Sequence, residues 1–325
     1  MQSIQFTSGD LLADRRADYA EMLAEAGEHA AAAELMREAL ALAPSWTAGW
    51  FRRGEMLESA GDVAAAVDAW REALRLDPAD RLGASLKLGL HGAAHAIDAP
   101  PSAFVETLFD QYAGDFDSAL VERLGYRAPE LVADLLQRSG AVDFAHVVDL
   151  GCGTGLMAER LRAAASFIEG LDLSAGMLRK AQAKGVYDRL EKQDLQLWLP
   201  EPGRADLVVA ADVFNYVGAL DRMIVAAHTA LAPGGRFAFT VELLRDAGDF
   251  ALRPSRRYAH ASGYVSGLLS GAGFVGVTME EIVLRHDRGE SVEGLAVLAT
   301  KPARPLLPAV EADEAAVTEL HSALN

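Results

Sequence analysis

A glycine-rich turn, Asp149-Leu-Gly151-Cys-Gly153-Thr-Gly155, directly follows a run of residues that predicts a buried strand. Glycines let the backbone approach a ligand closely where a strand ends and a helix begins. A dinucleotide-binding turn has the pattern G-x-G-x-x-G, but Leu156 stands here at the position of the third glycine. The Asp149 carboxylate would repel a pyrophosphate and would suit an ammonium group. The turn therefore predicts a nucleotide site that is not a dinucleotide site.

Two further acids lie where later strands of such a sheet would end. Asp172 comes 21 residues after Gly151, where a nucleotide-binding sheet places an acid that accepts from the ribose hydroxyls. The alternative role of Asp172 is to cap the helix that follows, although Ser174 could cap that helix instead. Asp194 ends the third predicted strand and could accept a hydrogen bond from an adenine amino group.

Cys152 is the only cysteine of the chain, so an intrachain disulfide is excluded and a reducing compartment is indicated. The residue lies between two glycines that must approach the ligand, where a small side chain suffices. No histidine is placed by the sequence to activate it. We therefore interpret Cys152 as a packing residue of the cofactor loop, not as a catalyst.

Residues that could contact a second substrate follow the fourth and fifth predicted strands. The run LRPSRRYAHASGYV is basic and aromatic in an otherwise acidic protein, and its arginines could meet an acidic substrate. His260 is a candidate general base. The alternative is a surface loop whose polar residues cap a helix beginning at Ser262. The candidates are Asn215, Tyr216, Glu242, Arg257, Tyr258 and His260, of which Tyr216, Glu242, Tyr258 and His260 are the predicted catalytic residues.

Alternating strands and helices must position these side chains. Apolar runs predict strands at 146–150, 167–171, 189–193, 205–211, 235–241, 274–284 and 293–300. The first five strand–helix units predict a parallel, doubly wound α/β sheet. The last two strands, joined by the short turn DRGES, predict an antiparallel hairpin. The carboxyl ends of the parallel strands would then bring the three acids to one edge.

The first hundred residues contain an internal repeat. Pro44 and Pro78 lie 34 residues apart, and small residues recur in register between them. This segment resembles the tetratricopeptide repeat, which has the same period and places small residues where paired helices touch. One further helix after Pro78 would cap the array. One alternative is an ordinary alanine-rich helical bundle. Another is that the repeats bind no partner and only stabilise a dimer or a lid over the predicted nucleotide site.

Two further motifs follow Asp194: the buried strand and polar end ADLVVAADVFNYVGAL, and the turn and strand LAPGGRFAFTVE. Together with the glycine turn, Asp172 and Asp194, in this order and spacing, they resemble class I S-adenosylmethionine-dependent methyltransferases over residues 103 to about 301. The resemblance implies that the turn contacts the methionine moiety, Asp172 the ribose and Asp194 the adenine. Leu173 and Met177 would flank the adenine, Leu195 would contribute a backbone amide, and Ala211 and Asp212 would pass the sulfonium. The sequence DVFNY follows strand four instead of D-P-P-Y or N-P-P-Y, which argues against the DNA-adenine and glutamine amide methylases that use that motif.

An F-D-x-Y-A-x-x-F-D segment precedes this core, from Phe109 to Asp117. It also resembles bacterial methyltransferases that carry tetratricopeptide repeats, and it would form a lid in which Tyr112 touches the methionine carboxylate. The alternative is that Tyr112 and Phe116 only pack within a helix. The expected domains are a repeat domain (1–98), linker and lid helices (99–140), a cofactor-binding domain (141–301) and a tail (302–325).

Composition limits the partners. The formal net charge is -17, and the chain is acidic both before and after residue 100, which lowers the expectation of a nucleic-acid substrate. The sequence contains no uninterrupted apolar run that could span a membrane and no signal peptide, so we expect a cytoplasmic protein. No metal site is predicted. Partners of the repeats, or self-association through them, stay open.

These observations favour methyl transfer from S-adenosylmethionine, with S-adenosylhomocysteine as product, to a small-molecule or carrier-bound acceptor. A second hypothesis makes the acceptor a protein that the repeats recruit. A third is a non-catalytic scaffold that binds the cofactor. An NAD-dependent oxidoreductase would need the glycine that Leu156 replaces.

Overall fold

The computed structural model describes residues 7–94, 98–114, 125–140, 143–287 and 289–303. Its N-terminal part consists of two antiparallel helix pairs and a fifth, shorter helix. Their bounds are α1 Leu11–Glu25, α2 His29–Leu42, α3 Thr47–Ser59, α4 Val63–Leu76 and α5 Ala84–Leu90. The predicted helix–turn–helix repeats and the additional helix are therefore confirmed, with Pro44 and Pro78 just beyond the ends of α2 and α4.

Small residues allow the helices of each pair to pack closely. Ala20, Ala32 and Ala66 are fully buried at the predicted contact positions. Gly54 lies against the Trp70 ring, and a Cβ added at Gly54 would lie 2.3 Å from Nε1 of that ring. Trp70 is itself fully buried and donates to the Phe51 carbonyl at 3.2 Å. The second repeat therefore requires glycine at position 54, because any larger residue there would clash with the buried Trp70 ring.

Two helices lead into the sheet, which alternates with further helices. The helices are α6 Ser102–Tyr112, α7 Ala128–Arg138, α8 Leu156–Leu161, α9 Ala175–Lys184, α10 Asp221–Ala230 and α11 Ser262–Gly271. The strands are β1 Phe144–Leu150, β2 Ala165–Asp172, β3 Arg189–Lys192, β4 Ala205–Ala210, β5 Leu231–Leu243, β6 Phe250–Leu252, β7 Tyr258–His260, β8 Val275–Asp287 and β9 Glu290–Thr300. None of the helices in the described ranges is long and apolar enough to cross a membrane.

The strand order β3-β2-β1-β4-β5 is parallel throughout, as the sequence predicts. Strand β9 pairs with β5 and β8 in antiparallel orientation, which confirms the predicted C-terminal hairpin. Apolar side chains fill both faces of the sheet, and Val147, Leu207 and Val209 are fully buried. The register pairs Leu150 with Leu171, so Asp149 and Asp172 reach the same edge.

Strands β6 and β7 were not predicted. They form a short antiparallel hairpin, and β7 also pairs in parallel with the end of β5. The segment that reads as a possible surface loop is therefore the turn and second strand of a hairpin added to the sheet. The helix that begins at Ser262 is confirmed. The predicted tail after residue 303 lies outside the described residues.

Candidate functional site

The glycine turn connects β1 to α8, and each of its three glycines has a positive φ. A Cβ at Gly151 would lie 2.6 Å from Val213, and one at Gly155 would lie 3.0 Å from Tyr187. A Cβ at Gly153 (φ +54°) would meet nothing within 4 Å. Gly151 and Gly155 therefore allow close packing within the protein. Gly153 presents its backbone to open space, as a turn that binds a ligand requires.

Asp172 lies directly behind the open glycine. Its carboxylate accepts from the Gly153 amide at 2.8 Å and from the Ser174 amide at 2.7 Å. Ser174, not Asp172, caps α9, because its hydroxyl accepts from the Met177 amide at 3.0 Å. Burial raises the pKa of Asp172 to about 6. The carboxylate keeps lone pairs for further donors, so it could accept from a bound sugar.

Asp149 is completely buried at the end of β1. Burial raises its pKa to about 7, although the Tyr187 hydroxyl donates to the carboxylate at 2.7 Å and opposes this shift. Sequence reasoning missed Tyr187, which follows the glycine that ends α9 and precedes β3. Cys152 is also buried, and burial raises the pKa of its thiol well above the usual range. A thiol in that state is a poor nucleophile.

Helix α6 closes one side of this region. Ser102 donates from its hydroxyl to Asp194 at 2.5 Å, and the other oxygen of Asp194 accepts from the Gln196 amide. Asp110 accepts from the Ser174 hydroxyl at 2.5 Å and from the Gly176 amide at 2.8 Å. The helix is thus tied to two of the predicted cofactor segments, which is the arrangement expected of a lid.

The other predicted cofactor residues lie around the same edge. Tyr112 ends α6 and is 39% exposed, whereas Phe116, its proposed packing partner, lies outside the described residues. Met177 is fully buried, and Leu173 and Leu195 are half-buried. The carbonyl of Ala211 accepts a hydrogen bond from the Tyr126 hydroxyl at 3.3 Å. The structure therefore brings these residues to one region; their individual contacts with a ligand stay predictions.

A buried charged cluster lies beside the turn, at the ends of β4 and β5. Arg285, from β8, is 1% exposed; it donates to both oxygens of Asp212, at 2.7 and 3.0 Å, and to Glu242. Asp212 has φ +59°, a conformation that is uncommon without glycine and that often marks functional sites. Sequence reasoning missed Arg285, because a charged residue within a strand gives no sign of which distant carboxylates it meets.

Two of the predicted catalytic residues, His260 and Tyr258, are buried in the fold. His260 is fully buried, and its Nε2 lies 2.9 Å from the carbonyls of both Val217 and Gly218. A nitrogen between two carbonyl oxygens must donate, and burial lowers the pKa of the ring to about 4. Tyr258 is 1% exposed, and burial raises its pKa to about 12. Burial therefore argues against a general-base role for either side chain, and that role stays a prediction.

Tyr216 and Glu242 have different positions. Tyr216 is half-buried after β4, and its hydroxyl accepts from Nε of Arg257 at 3.0 Å. The ring of Phe109, from α6, meets the Tyr216 ring edge-on with centroids 5.0 Å apart. Glu242 is buried and engaged by Arg285. Tyr216 is therefore the least buried of the four predicted catalytic residues, and its contact with an acceptor stays a prediction.

The turn of the β6–β7 hairpin also contacts the helical repeats. The guanidinium of Arg256 lies 5.8 Å from the ring centre of Phe51 on α3 and 5.1 Å from that of Phe104 on α6. The same side chain donates to the Leu82 carbonyl at 3.1 Å. Arg256 thus joins the repeats, α6 and the sheet at one point, directly beside Arg257.

Sequence comparisons agree with this architecture. Residues 121–266 match the family described as a methyltransferase domain, and residues 47–80 match the tetratricopeptide repeat family. The chain joins a methyltransferase domain to a tetratricopeptide repeat. The predicted resemblance is therefore confirmed for both parts, and the match to the repeat family covers the second repeat.

Relatives of the methyltransferase domain act on different acceptors. A trans-aconitate 2-methyltransferase of Paracidovorax citrulli is 35% identical over 127 residues, which are 38% of this chain and 49% of the relative. A malonyl-[acyl-carrier protein] O-methyltransferase of Geobacter sulfurreducens is 35% identical over 143 residues, 42% of this chain and 52% of the relative. The chain thus spans about half the length of these curated relatives.

The fold also resembles solved structures. A [4+2]-cyclase named SpnF has a TM-score of 0.54 and 19% identity, covering 64% of this chain and all of that one. This likeness confirms the predicted fold class of the methyltransferase domain. Because that protein is named a cyclase, the fold by itself does not assign a reaction.

Proposed function

We propose that this protein is an S-adenosylmethionine-dependent methyltransferase that acts on a small-molecule or carrier-bound acceptor. The observation that supports this proposal most directly is the open backbone of Gly153 above two buried carboxylates. Asp149 and Asp172 have raised pKa values because burial disfavours their charged forms. A ligand with an ammonium group and ribose hydroxyls would supply donors to these carboxylates, so the residues present fit this cofactor.

Each part of the site would have a separate task. The Asp149–Gly155 turn would hold the methionine moiety, Asp172 the ribose and Asp194 the adenine. The bound cofactor supplies an activated methyl group on a sulfonium. The protein then has to orient the acceptor and exclude water, and proximity alone can supply about 7–11 kcal/mol. Helix α6 would provide the exclusion, since Ser102 and Asp110 already tie it to the site.

The class of acceptor follows in part from the relatives. Trans-aconitate and malonyl-carrier protein, named for two relatives, are a small acid and a carrier-bound acid. Protein recruitment by the repeats is less favoured, because Arg256 of the methyltransferase domain already packs against Phe51 of the second repeat. Self-association through the repeats and a cytoplasmic location stay predictions.

Titration calorimetry tests cofactor binding. We expect S-adenosylmethionine and S-adenosylhomocysteine to bind the full chain and NAD not to bind. Asp172→Asn should weaken S-adenosylhomocysteine binding by about 1.5–3 kcal/mol, the cost of a lost charge-assisted hydrogen bond. Glu191→Gln, at the edge of the same sheet, is the matched control and should bind as the wild type does. A folded Asp172→Asn protein with unchanged affinity would reject the ribose role of Asp172.

A further inference from the structure

The Arg257 side chain has N–H groups that donate to no described residue. Its Nε donates to the Tyr216 hydroxyl, and the guanidinium carbon lies 5.8 Å from the centre of the Tyr216 ring. Within the described ranges, its two Nη atoms make no hydrogen bond, and no carboxylate oxygen lies within 4.0 Å of them. This differs from Arg285, whose Nη atoms both bind carboxylates. A half-buried guanidinium therefore presents a fork of N–H groups that the described protein does not use.

The surrounding cluster contains further unsatisfied groups. Asn215 is 1% exposed, and its Oδ1 has no partner among the described residues, although its Nδ2 donates to Asp212 at 3.2 Å. Nε of Arg285 is likewise buried without a partner there. A buried polar atom without a partner destabilises the folded protein. Unpaired polar atoms in a cluster at the carboxyl edge of the sheet are characteristic of a site that a ligand completes.

Tyr216 adds a donor to the same place. Because its oxygen accepts from Arg257, its own O–H is directed elsewhere and can donate. The Phe109 ring of the lid packs edge-on against Tyr216 and supplies an apolar wall. A planar fork and one adjacent hydroxyl match the two oxygens of a carboxylate.

Charge decides between a carboxylate and a phosphate. Asp212 and Glu242 carry two negative charges, which Arg285 and Arg257 balance. A carboxylate would add one negative charge to this balance. A dianionic phosphate would add two beside Asp212 and Glu242, without the several backbone donors that phosphate sites usually provide.

We propose that Arg257 binds a carboxylate of the methyl acceptor, with the Tyr216 hydroxyl as second donor. This inference rests on the proposed function, since it concerns the acceptor of the same site. It names the acceptor as an organic acid, either free or attached to a carrier through a thioester.

Calorimetry on the full chain saturated with S-adenosylhomocysteine tests this proposal. The probes are succinate, trans-aconitate, the S-pantetheinyl half-thioester of malonate, uncharged succinamide and inorganic phosphate. At least one acid should bind, and Arg257→Gln should weaken that binding at least tenfold without changing S-adenosylhomocysteine affinity. Arg253→Gln is the matched control, because Arg253 lies in the same turn but pairs at the surface with Asp246. Binding of free acids alone, or of the thioester alone, supports the proposal and distinguishes the two sources.

Four results would overturn the proposal. They are equal binding by the wild type and Arg257→Gln, equal binding of succinamide, displacement of the acid by phosphate at the same concentration, and no binding by any acid. Failure of S-adenosylhomocysteine to bind would instead count against the proposed function. In that case titration of the acids into the free protein, wild type and Arg257→Gln, still tests the carboxylate site by itself.

Discussion

Asp149 and Asp172 are buried acids at the ends of adjacent parallel strands. Their pKa values rise from 3.8 to about 7 and about 6, chiefly because burial disfavours the charged form. Between pH 3.8 and about 6, the folded protein without ligand therefore keeps both carboxyl groups protonated, whereas the unfolded chain has released these protons. Donors from a ligand would favour the charged form and reverse this effect.

The stability of the free protein should depend on this difference. Both pKa values are higher in the folded protein than in the unfolded chain. The contribution of Asp149 and Asp172 to the free energy of unfolding is therefore fully present below pH 3.8, and it is lost as pH rises through about 6 and about 7. We expect Asp149→Asn to reduce the fall in unfolding free energy between pH 5 and pH 8 by about 1–3 kcal/mol. Urea unfolding at the two pH values measures this. An identical fall in both proteins would show that Asp149 does not titrate in this range.

Ligand affinity should show the opposite dependence. If the ionised carboxylates bind S-adenosylhomocysteine, its affinity should fall as pH is lowered from 8 to 5.5, approaching tenfold per pH unit for each linked proton. Calorimetry across this range measures the slope. A constant affinity would mean that neither carboxylate binds the ligand in its charged form.

Cys152 should prove dispensable. Its thiol is buried and protonated, and the Gly170 backbone lies so close that a Cβ there would be 2.9 Å from Sγ. Cys152→Ala should leave S-adenosylhomocysteine affinity and methyl transfer within about twofold and cost about 1 kcal/mol of stability. Loss of transfer in a folded Cys152→Ala protein would give the thiol a role that its environment does not suggest.

Local sequence predicts some of these residues and not others. Asp149 and Asp172 can be found because each ends an apolar strand that precedes a turn. Tyr187 and Arg285 cannot, because their partners lie 38 and 73 residues away in the chain. The burial of His260 could not be predicted because its sequence neighbourhood is polar, whereas the hairpin buries it completely.

The β6–β7 hairpin contains Arg257, the residue that we propose binds the methyl acceptor. Each of its strands has three residues, too few for a period of two to be visible in the sequence, so it reads as a loop. The longer parallel strands and the C-terminal hairpin could be predicted because their apolar runs are long. The turn holds Arg256 at φ +63°, where a side chain other than glycine is strained.

Arg256 should position the hairpin through its contacts with Phe51, Phe104 and Leu82. Arg256→Ala removes those contacts and keeps the backbone strain, whereas Arg256→Gly removes both. We expect both variants to bind S-adenosylhomocysteine normally and to weaken acid binding by about threefold to tenfold. Hydrogen exchange of the Arg253 amide, which donates to Arg257 across the turn at 2.8 Å, should become faster in Arg256→Ala. Unchanged exchange and unchanged acid binding would reject the positioning role.

At the scale of the whole molecule, the repeats and the methyltransferase domain meet through α6. Phe104 is 2% exposed, lies against Gly83 in the turn before α5, and also meets Arg256. The opposite end of the same helix bonds to the segment after β2. Period and composition reveal the repeats in the sequence, but nothing local reveals which surface they pack against.

Ligand binding should therefore stabilise the repeats as well. At 100 times its dissociation constant, S-adenosylhomocysteine should add about 2.7 kcal/mol to the unfolding free energy. Scanning calorimetry should show the transition of the repeats shifting with the ligand in the wild type. In Phe104→Ala, which should cost about 3–5 kcal/mol, that shift should be lost. If the unfolding transition of the wild-type repeats does not shift with the ligand, the repeats and the methyltransferase domain are not coupled.

Transfer of an isotopically labelled methyl group in an extract of the source cells tests the central claim most directly. The full chain is incubated with labelled S-adenosylmethionine, and small molecules and proteins are then analysed by mass spectrometry. We predict label in a small or carrier-bound organic acid, with less label for Arg257→Gln and Asp172→Asn than for Arg253→Gln and Glu191→Gln. Label in protein side chains alone, or in no molecule although S-adenosylhomocysteine binds, would contradict methyl transfer to an acid acceptor.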